Sequence, residues 1–319
     1  MPVHEIPVVV PYRLDLTVSV LRRLSTNVVD LLTPDGHYVR ALAGSPKPVI
    51  VRAMQLPHDD LLRITIEGAS GTESEVLTLV RCMLGTDRDV SAFNRSAAQL
   101  PWLAPLIARM DGVKPPRYPT LWEACANAVV FQQVSLRAAS AIMHRLVVAL
   151  GRSVEIDGVP VPLYAFPDVE SVQGAPDILL RALGLSANKI ATLRRVAEAL
   201  ASHTLDATML EECTSADAAA MLRQIKGIGP WTAAVILLRG LGRMDVFPAN
   251  DTSVASNIAL VAGSTPFDAQ RVLDALGPQR GMLYFYLLLA RLEARDEIGR
   301  PSFTIADDDD EQASDTASP

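Results

Sequence analysis

Several features that would place a chain outside the cell or within a membrane are missing from this sequence. Three cysteines occur in 319 residues, Cys82, Cys125 and Cys213, and their wide spacing suggests neither a disulfide framework nor a zinc site. No apolar run approaches the ~20 residues that a membrane helix needs. The first residues lack the basic stretch and apolar core of a signal peptide. We therefore expect a protein of the reducing cytoplasm.

The sequence also lacks the net positive charge that is common among nucleic-acid-binding proteins. Its formal net charge is −7 at pH 7. Six acidic residues are concentrated near the C-terminus: Asp307, Asp308, Asp309, Asp310, Glu311 and Asp315. Such a block, followed by Ser, Thr and Pro, predicts a disordered acidic tail over residues 301–319. Because a local positive face matters more than the total charge, nucleic acid stays a candidate partner.

Residues 1–112 have the pattern of a small mixed α/β domain. Apolar and polar residues alternate strictly from Arg13 to Val20, which predicts a half-buried strand. A turn motif at residues 34–36 (PDG) precedes three further predicted strands, at 37–43, 49–54 and 61–67. Residues 74–84 have the apolar spacing of a helix that covers one side of this sheet.

Residues 112–119 (GVKPPRYP) interrupt regular structure and mark the expected domain boundary. From there we predict an all-helical region over 113–300, so that the fold class is α+β. Thr120 and Glu123 predict a capping box at its first helix. Helices are predicted at residues 120–131, 135–150, 168–183, 186–201, 215–224, 230–239, 251–261, 268–276 and 281–294.

Residues 222–235 (LRQIKGIGPWTAAV) are the most informative part of this helical region. Gly227 and Gly229 form a turn between two helices, and Pro230 suits the first position of the second helix. A Gly-x-Gly turn alone indicates no more than a tight helix connection. Together with the flanking isoleucines it predicts a helix–hairpin–helix, whose free backbone N–H groups would face an anion such as a phosphate.

A carboxylate, Asp251, follows this hairpin at the start of a predicted helix. Its simplest role is that of an N-cap. A carboxylate at a helix start can also face a cleft, where it would stabilise positive charge that develops on a sugar. Asp245 is the rival carboxylate, but it precedes the apolar Val246 and Phe247 and is better suited to support the hairpin.

Two further groups of residues have both a structural and a functional interpretation. Gln132 and Gln133, in residues 131–135 (FQQVS), lie at the junction of two apolar helices. They are either hydrogen bonders between helices or side chains that fill the space left when a base leaves the duplex. Trp231 is either a core aromatic or a ring that lines a base pocket.

Taken together, these motifs resemble the helix–hairpin–helix DNA glycosylase superfamily, and within it the AlkA-like branch of DNA-3-methyladenine glycosylase II. The hairpin with Asp251, preceded by residues 131–135, carries the resemblance, which extends over nearly the whole chain apart from the acidic tail. It implies a monomeric, nucleoid-associated cytoplasmic protein whose partner is double-stranded DNA with a damaged base. No membrane association is implied.

The resemblance also implies roles for individual residues. Asp251 would be the catalytic aspartate. DNA contacts are implied for Gly227, Gly229, Lys226, Thr232, Gln132, Gln133 and Ser135. The base pocket would be bordered by Trp231, Val235, Gln279 and Arg280. Backbone carbonyls would hold a monovalent cation, Na⁺ or K⁺, at Arg223, Ile225 and Gly227.

Three departures from family patterns refine the expected subclass. Trp231 stands where members that also cut the DNA backbone carry a Schiff-base lysine, so a glycosylase without AP lyase activity is implied. No cysteine follows Cys213, which excludes the four-cysteine iron–sulfur cluster of some relatives; no cofactor is expected to be required. Val235 and Gln279 replace pocket aromatics, which leaves the substrate range open.

The expected function is hydrolysis of the N-glycosidic bond of alkylated bases, of the 3-methyladenine type, in double-stranded DNA. One alternative is a glycosylase for uracil or for deaminated or oxidised bases. Another is a non-catalytic DNA-binding module in which Asp251 is only an N-cap. A helical scaffold for protein partners would explain neither the hairpin nor the paired glutamines.

Overall fold

The computed structural model of the protein describes residues 2–44, 47–56, 60–68, 73–248, 252–265 and 267–304, without the side chains of 252–255. The strands are β1 (Val3–Pro7), β2 (Asp30–Leu32), β3 (Tyr38–Leu42), β4 (Val49–Gln55), β5 (Leu61–Glu67), β6 (Arg152–Ile156) and β7 (Val159–Ala165). The helices of the first region are α1 (Leu14–Arg22), α2 (Glu73–Leu84), α3 (Ser91–Ala98) and α4 (Ala104–Arg109).

Helices dominate the rest of the described chain. They are α5 (Leu121–Val130), α6 (Leu136–Leu150), α7 (Val169–Gly174), α8 (Asp177–Ala182), α9 (Ala187–Ala201), α10 (Ala207–Glu212), α11 (Ser215–Arg223), α12 (Pro230–Gly240), α13 (Thr252–Ala262), α14 (Ala269–Leu276) and α15 (Met282–Glu293), with a 3₁₀ turn at Gly277–Gln279. None of the helices in the described ranges is long and apolar enough to cross a membrane.

An antiparallel sheet in the order β1-β5-β4-β3-β2 forms the N-terminal part. The strands predicted at 37–43, 49–54 and 61–67 are confirmed as β3, β4 and β5. Alternate residues of β5, Leu62, Ile64 and Ile66, are buried and pack in one apolar cluster with Val76 and Val80 of α2. The predicted helix at 74–84 is therefore confirmed, and it covers one face of the sheet.

The strand predicted at residues 13–20 is wrong, because this segment is helix α1. Leu14, Val18 and Leu21 pack into the cluster beneath the sheet, whereas Leu16 and Val20 pack into the core around α15. Each set has the spacing of a helical stripe. Two stripes that interleave on a helix buried on both sides produce the alternation that is typical of a strand.

The prediction of an all-helical region is also wrong, since β6 and β7 form an antiparallel hairpin within it. Ile156, Leu163 and Ala165 pack against Val39 and other apolar residues on the second face of the N-terminal sheet. The sheet needs this cover because that face is apolar too. The turn residues 157–158 (DG), flanked by alternating apolar residues, are a hairpin motif that could have revealed it.

The helix boundaries follow the capping residues of the sequence. Thr120 caps α5, its Oγ1 accepting a hydrogen bond from the Glu123 amide at 3.1 Å. Ser135 caps α6 and Ser186 caps α9 in the same way. The capping box at Thr120 is only half formed, because the Glu123 carboxylate turns away from the helix start and accepts hydrogen bonds from Arg40.

The disordered tail was predicted from residue 301, but the chain is bonded to the sheet beyond that point. The amide of Ser302 donates to the Leu32 carbonyl at 2.7 Å, and Ser302 Oγ accepts from the Leu32 amide at 3.0 Å. Within the described ranges no strand pairs with the outer edge of β2, so Ser302 supplies hydrogen-bond partners there. Residues 305–319, which hold the acidic block, lie outside the described residues, and the domain boundaries stay a prediction.

A buried ion network joins the sheet to the helical region. Arg40 of β3 is 1% exposed. It contacts Asp30 of β2 at 2.6 Å and Glu123 of α5 at 2.7 and 2.5 Å, while the Tyr38 hydroxyl donates to Asp30 at 2.7 Å. Burial alone would lower the pKa of Arg40, but the two carboxylates raise it above its ordinary value. Arg40 therefore stays charged in the core.

We expect Arg40→Met to lower the free energy of unfolding by about 3–5 kcal/mol, because it leaves two buried carboxylates without their cation. Arg63→Met is the matched control. It removes an arginine of β5 from an exposed pair with Glu5 and should change stability by no more than about 1 kcal/mol. Denaturant unfolding measures both. Equal effects of the two substitutions would contradict a structural role for the buried network.

Candidate nucleic-acid interface

The predicted helix–hairpin–helix is present, formed by α11, a glycine turn and α12. Gly227 has φ +107, a backbone conformation that favours glycine. Gly229 is the N-cap of α12, and Pro230 occupies its first position. Among the described residues, nothing accepts a hydrogen bond from the amide of Gly227 or Gly229. Lys226, beside them, is exposed, so the turn presents free donors and a cation at a helix start.

The two glycines of the turn have different surroundings. A Cβ at Gly227 would lie 1.9 Å from Oγ1 of Thr192 on α9, so the turn packs directly against that helix. A Cβ at Gly229 would meet nothing within 4 Å, and its φ of −91 suits any residue. The fold therefore requires glycine at position 227 and leaves open space at 229, which a ligand backbone can approach closely.

The junction between α5 and α6 is hydrogen-bonded to this turn. Gln132 Nε2 donates to the Gly227 carbonyl at 3.0 Å and to Thr232 Oγ1 at 2.7 Å. Gln133 is exposed and has φ +53, while Ser135 caps α6. The structural interpretation therefore holds for Gln132, which ties the junction to the hairpin. Gln133 is the side chain at the tip.

A cleft of about 1690 Å³ separates the hairpin and the α5–α6 junction from α13 and α15. We call it the basic cleft, because five positively charged side chains line it and no acidic side chain of the described residues does. The five are Arg23, Arg195, Lys226, Arg291 and Arg295. A positive field of this kind attracts a polyanion although the whole chain is negative.

The structure brings some, but not all, of the predicted base-pocket residues to this cleft. Trp231 lines it. Val235 does not, because residues 235–240 of α12 are all buried and Val235 itself is 1% exposed. Gln279 Oε1 accepts from the Phe93 amide at 3.1 Å, and Arg280 Nε donates to the Gly277 carbonyl at 2.9 Å. Neither Gln279 nor Arg280 is among the residues that line the cleft.

Many residues that line the cleft were not predicted from the sequence, and Arg23 and Tyr284 are two of them. Arg23, which ends α1, extends its guanidinium to 3.6 Å from the centre of the Phe131 ring, and Tyr284 comes from α15. The only sequence indication for Arg23 was a pair of arginines, Arg22 and Arg23, that directly follows a mostly apolar segment. No local feature of the sequence distinguishes Tyr284 from the other aromatic residues of its helix.

The carboxylates near the hairpin are only partly described. Asp245 accepts a hydrogen bond from Ser215 Oγ of α11 at 2.9 Å, which agrees with a hairpin-supporting role. Asp251 lies outside the described residues, directly before α13, so its catalytic role stays a prediction. Ser256 and Asn257 of the same helix line the basic cleft.

The carbonyls predicted to hold a monovalent cation are partly engaged. The Ile225 carbonyl accepts from the Ile228 amide at 3.0 Å, and the Gly227 carbonyl accepts from Gln132. Each keeps one lone pair for another partner. A cation there stays a prediction. Among the described residues, no group of three or more His, Cys, Asp or Glu side chains could hold a metal ion.

Comparisons with known proteins agree with this geometry. Residues 126–276 match the family described as HhH-GPD superfamily base excision DNA repair protein. Over 191 residues the chain is 32% identical to a probable bifunctional transcriptional activator/DNA repair enzyme AlkA of Mycobacterium tuberculosis H37Rv, covering 60% of this chain and 36% of that protein. It is 34% identical over 134 residues to DNA-3-methyladenine glycosylase 1 of Schizosaccharomyces pombe, covering 42% and 54%.

Among solved structures, the 3-methyladenine DNA-glycosylase of Archaeoglobus fulgidus has the same fold, with a TM-score of 0.74 at 24% identity over 91% of this chain and 99% of that one. Residues 126–276 therefore resemble the HhH-GPD superfamily of base excision DNA repair proteins. The chain is similar to an AlkA protein within that comparison. It spans less than two-thirds of the length of the two sequence relatives named above.

The two glycines of the turn should respond differently to the same substitution. We expect Gly227→Ala to lower the free energy of unfolding by roughly 2–4 kcal/mol, since left-handed strain and overpacking each cost about 1–3 kcal/mol. Gly229→Ala should change it by less than about 1 kcal/mol, because its backbone is unstrained and its surroundings are open. Thermal or denaturant unfolding of both variants measures the difference. Equal losses would contradict the packing of Gly227 against Thr192.

Proposed function

We propose that this protein is a DNA glycosylase that hydrolyses the N-glycosidic bond of alkylated bases, of the 3-methyladenine type, in double-stranded DNA. The observation that carries the proposal is the hairpin with free amides at the rim of the basic cleft, within an HhH-GPD domain. The names of the relatives from S. pombe and A. fulgidus support the same activity, and the relative from M. tuberculosis is named as a DNA repair enzyme.

Binding would begin at the DNA backbone. The amides of Gly227 and Gly229 would donate to one phosphate, and Lys226 would add a charge beside it. Contacts of this type position a protein on the duplex without selecting a sequence. The other cations of the cleft would hold the neighbouring phosphates, so affinity should decrease steeply as salt is added.

The damaged nucleotide would then leave the duplex and enter the basic cleft, at a cost of a few kcal/mol that is lower where damage has weakened pairing. Gln133 suits the role of the side chain that fills the vacated space, because it is exposed at the tip of the α5–α6 junction. Gln132 supports that junction from below through its bonds to Gly227 and Thr232. Trp231 would stack on the flipped base.

Bond cleavage would depend on Asp251. Alkylation at N3 or N7 makes a purine positively charged, so the base leaves without help from an acid. Asp251 would stabilise the oxocarbenium-like sugar or orient the water that attacks it. No external cofactor enters this scheme. Trp231 provides no amine for a Schiff base, so the product would be an intact strand with an abasic site.

Asp251→Asn tests the enzymatic assignment. We expect it to abolish base release from methylated duplex DNA, because the amide cannot stabilise positive charge on the sugar, while affinity for an abasic-site duplex is retained. Alkali-labile sites measure base release, and fluorescence anisotropy measures binding. Retained turnover would favour a role for Asp251 as an N-cap only. Strand breaks that form without alkali would contradict the absence of AP lyase activity.

Gly229→Ala tests the phosphate contact separately from the fold. A methyl group at the open face of the turn should weaken binding to an abasic-site duplex by roughly 10-fold, about the value of one hydrogen bond to a charged group. Gly174→Ala is a suitable control, because its Cβ also meets nothing within 4 Å and it does not line the cleft. If both variants bind as tightly as the wild type, the hairpin amides do not hold the phosphate.

Two other functions remain as alternatives. A non-catalytic DNA-binding protein would bind duplexes as described but release no base. A glycosylase for deaminated or oxidised bases is favoured by one observation, the presence of Arg23 in the cleft, since a positive charge is unsuited to a positively charged base.

A further inference from the structure

The basic cleft holds positive charges that the described residues leave without carboxylate partners. Lys226 and Arg295 are exposed there, and neither they nor Arg195 form an ion pair with a described Asp or Glu side chain. Outside the cleft such pairs do form. Arg194, directly before Arg195, contacts Asp177 at 2.7 Å. The cleft is therefore a site for a polyanion that the described residues do not supply.

The chain itself carries a polyanion shortly after Thr304, the last described residue. Residues 307–315 (DDDDEQASD), which we call the acidic segment, hold six carboxylates. No Lys, Arg or His follows Arg300, so no positive side chain beside the segment neutralises them. The six negative charges nearly match the five positive side chains of the basic cleft. Complementary potentials of this kind bring two surfaces together and fix their register.

The described chain connects the basic cleft to the start of the acidic segment. Arg295 lines the cleft, and the residues that follow it are bonded to the end of α1 and to β2. The Glu297 carboxylate accepts a hydrogen bond from the Ser25 amide at 2.7 Å. The Ser302 amide donates to the Leu32 carbonyl at 2.7 Å. Ser302 is therefore a fixed anchor from which the acidic segment begins.

The length of the chain allows the acidic segment to reach the basic cleft from this anchor. Seven residues separate Ser302 from Arg295, so the two are at most about 25 Å apart. Asp307 and Asp315 lie five and thirteen residues beyond Ser302, and an extended chain carries them about 17 and 45 Å from it. These two reaches lie on either side of the largest possible distance to Arg295.

We propose that the acidic segment binds in the basic cleft of its own chain and competes there with the phosphates of DNA. DNA must then displace the segment in order to bind. Duplex DNA can do so because it carries one charge per about 1.7 Å of its axis, whereas successive carboxylates of an extended chain are about 3.4 Å apart. The inference goes beyond the proposed function, since it requires DNA binding at the cleft but no release of a base.

Tethering makes even a weak contact of this kind effective. A short tether holds its ligand at an effective concentration on the order of 1 mM. With an intrinsic affinity like that of weak non-specific DNA binding, about 0.1 mM, the segment would fill the cleft about nine-tenths of the time and weaken DNA binding about 10-fold. Undamaged duplexes, held by phosphate contacts alone, would be released first. A damaged base that enters the cleft adds contacts that offset the competition.

Carbodiimide cross-linking of the full chain tests where the segment binds, because it joins a carboxylate to an amine in direct contact, with loss of water. Lys226 is the one lysine among the described residues that line the cleft, whereas Lys47 is exposed outside it. We expect peptide mapping to find residues 307–315 joined to Lys226 within one molecule, and excess duplex DNA to suppress this product. Equal yields at Lys47, no product at Lys226, or products only between two molecules would overturn the proposal.

A variant with a neutral segment tests the competition. Its six substitutions are Asp307→Asn, Asp308→Asn, Asp309→Asn, Asp310→Asn, Glu311→Gln and Asp315→Asn. We expect it to bind an undamaged duplex about 10-fold more tightly than the wild type at about 0.1 M salt, as measured by fluorescence anisotropy. The difference should shrink as salt is added, because screening weakens the attraction between the segment and the cleft.

The matched control removes the same number of negative charges from the surface outside the cleft. Its substitutions, all at exposed residues that do not line the cleft, are Glu67→Gln, Glu75→Gln, Glu155→Gln, Asp157→Asn, Glu170→Gln and Glu212→Gln. We expect a gain in affinity of less than about 2-fold, since exposed charges beyond a Debye length of about 10 Å are largely screened. Thermal unfolding checks that both variants are folded. Equal gains in the two variants would show that total charge, and not binding of the segment, limits affinity.

Base release distinguishes this inference from the proposed function. Because the segment acts on binding alone, single-turnover release at saturating DNA should be equal in the wild type and in the neutral-segment variant. A protein that forms the cross-link and binds DNA but releases no base would contradict the glycosylase assignment and leave the segment in the cleft. Base release with equal DNA affinity in both proteins would overturn the competition and leave the glycosylase assignment intact.

Discussion

The geometry of the interface depends on the buried contact between Arg40 and Glu123. Through it the N-terminal sheet fixes α5, and α5 ends at the junction whose Gln132 holds the hairpin. Glu123 could have completed a capping box at its own helix, yet it turns towards the sheet. A charge buried in this way is stable only when every partner is in place, so the contact selects one relative position of the sheet and the hairpin.

The hairpin itself shows which parts of the site could be predicted from the sequence. Its glycine turn and its proline at the first helical position are local features, and local rules identified them. The sequence could not predict that Gln132 hydrogen-bonds to the hairpin while Gln133 is exposed. Two adjacent, identical residues differ only in their tertiary contacts. The burial of Val235 likewise depends on helices that are distant in sequence.

The errors in the fold share one physical cause. Helix α1 was mistaken for a strand because two cores bury it from opposite sides, and sequence periodicity assumes one buried face. The hairpin β6–β7 was overlooked within a helical region because it serves the N-terminal sheet. Arg23 was missed for the same reason, since the side chains around it come from α5, α12 and α15. Structure prediction from local sequence patterns fails for a segment whose side chains pack against two different parts of the fold.

The distribution of charge follows from the same long-range organisation. The cations of the basic cleft come from the end of α1, from α9, from the hairpin and from the C-terminal end of α15, so no stretch of sequence is conspicuously basic. The rest of the chain must then be more acidic than the net charge of −7 suggests. Six of the acidic charges belong to the C-terminal block at residues 307–315, whereas five positive side chains of the described residues meet in the cleft. A negative total charge is therefore compatible with DNA binding, because the local positive field attracts the polyanion.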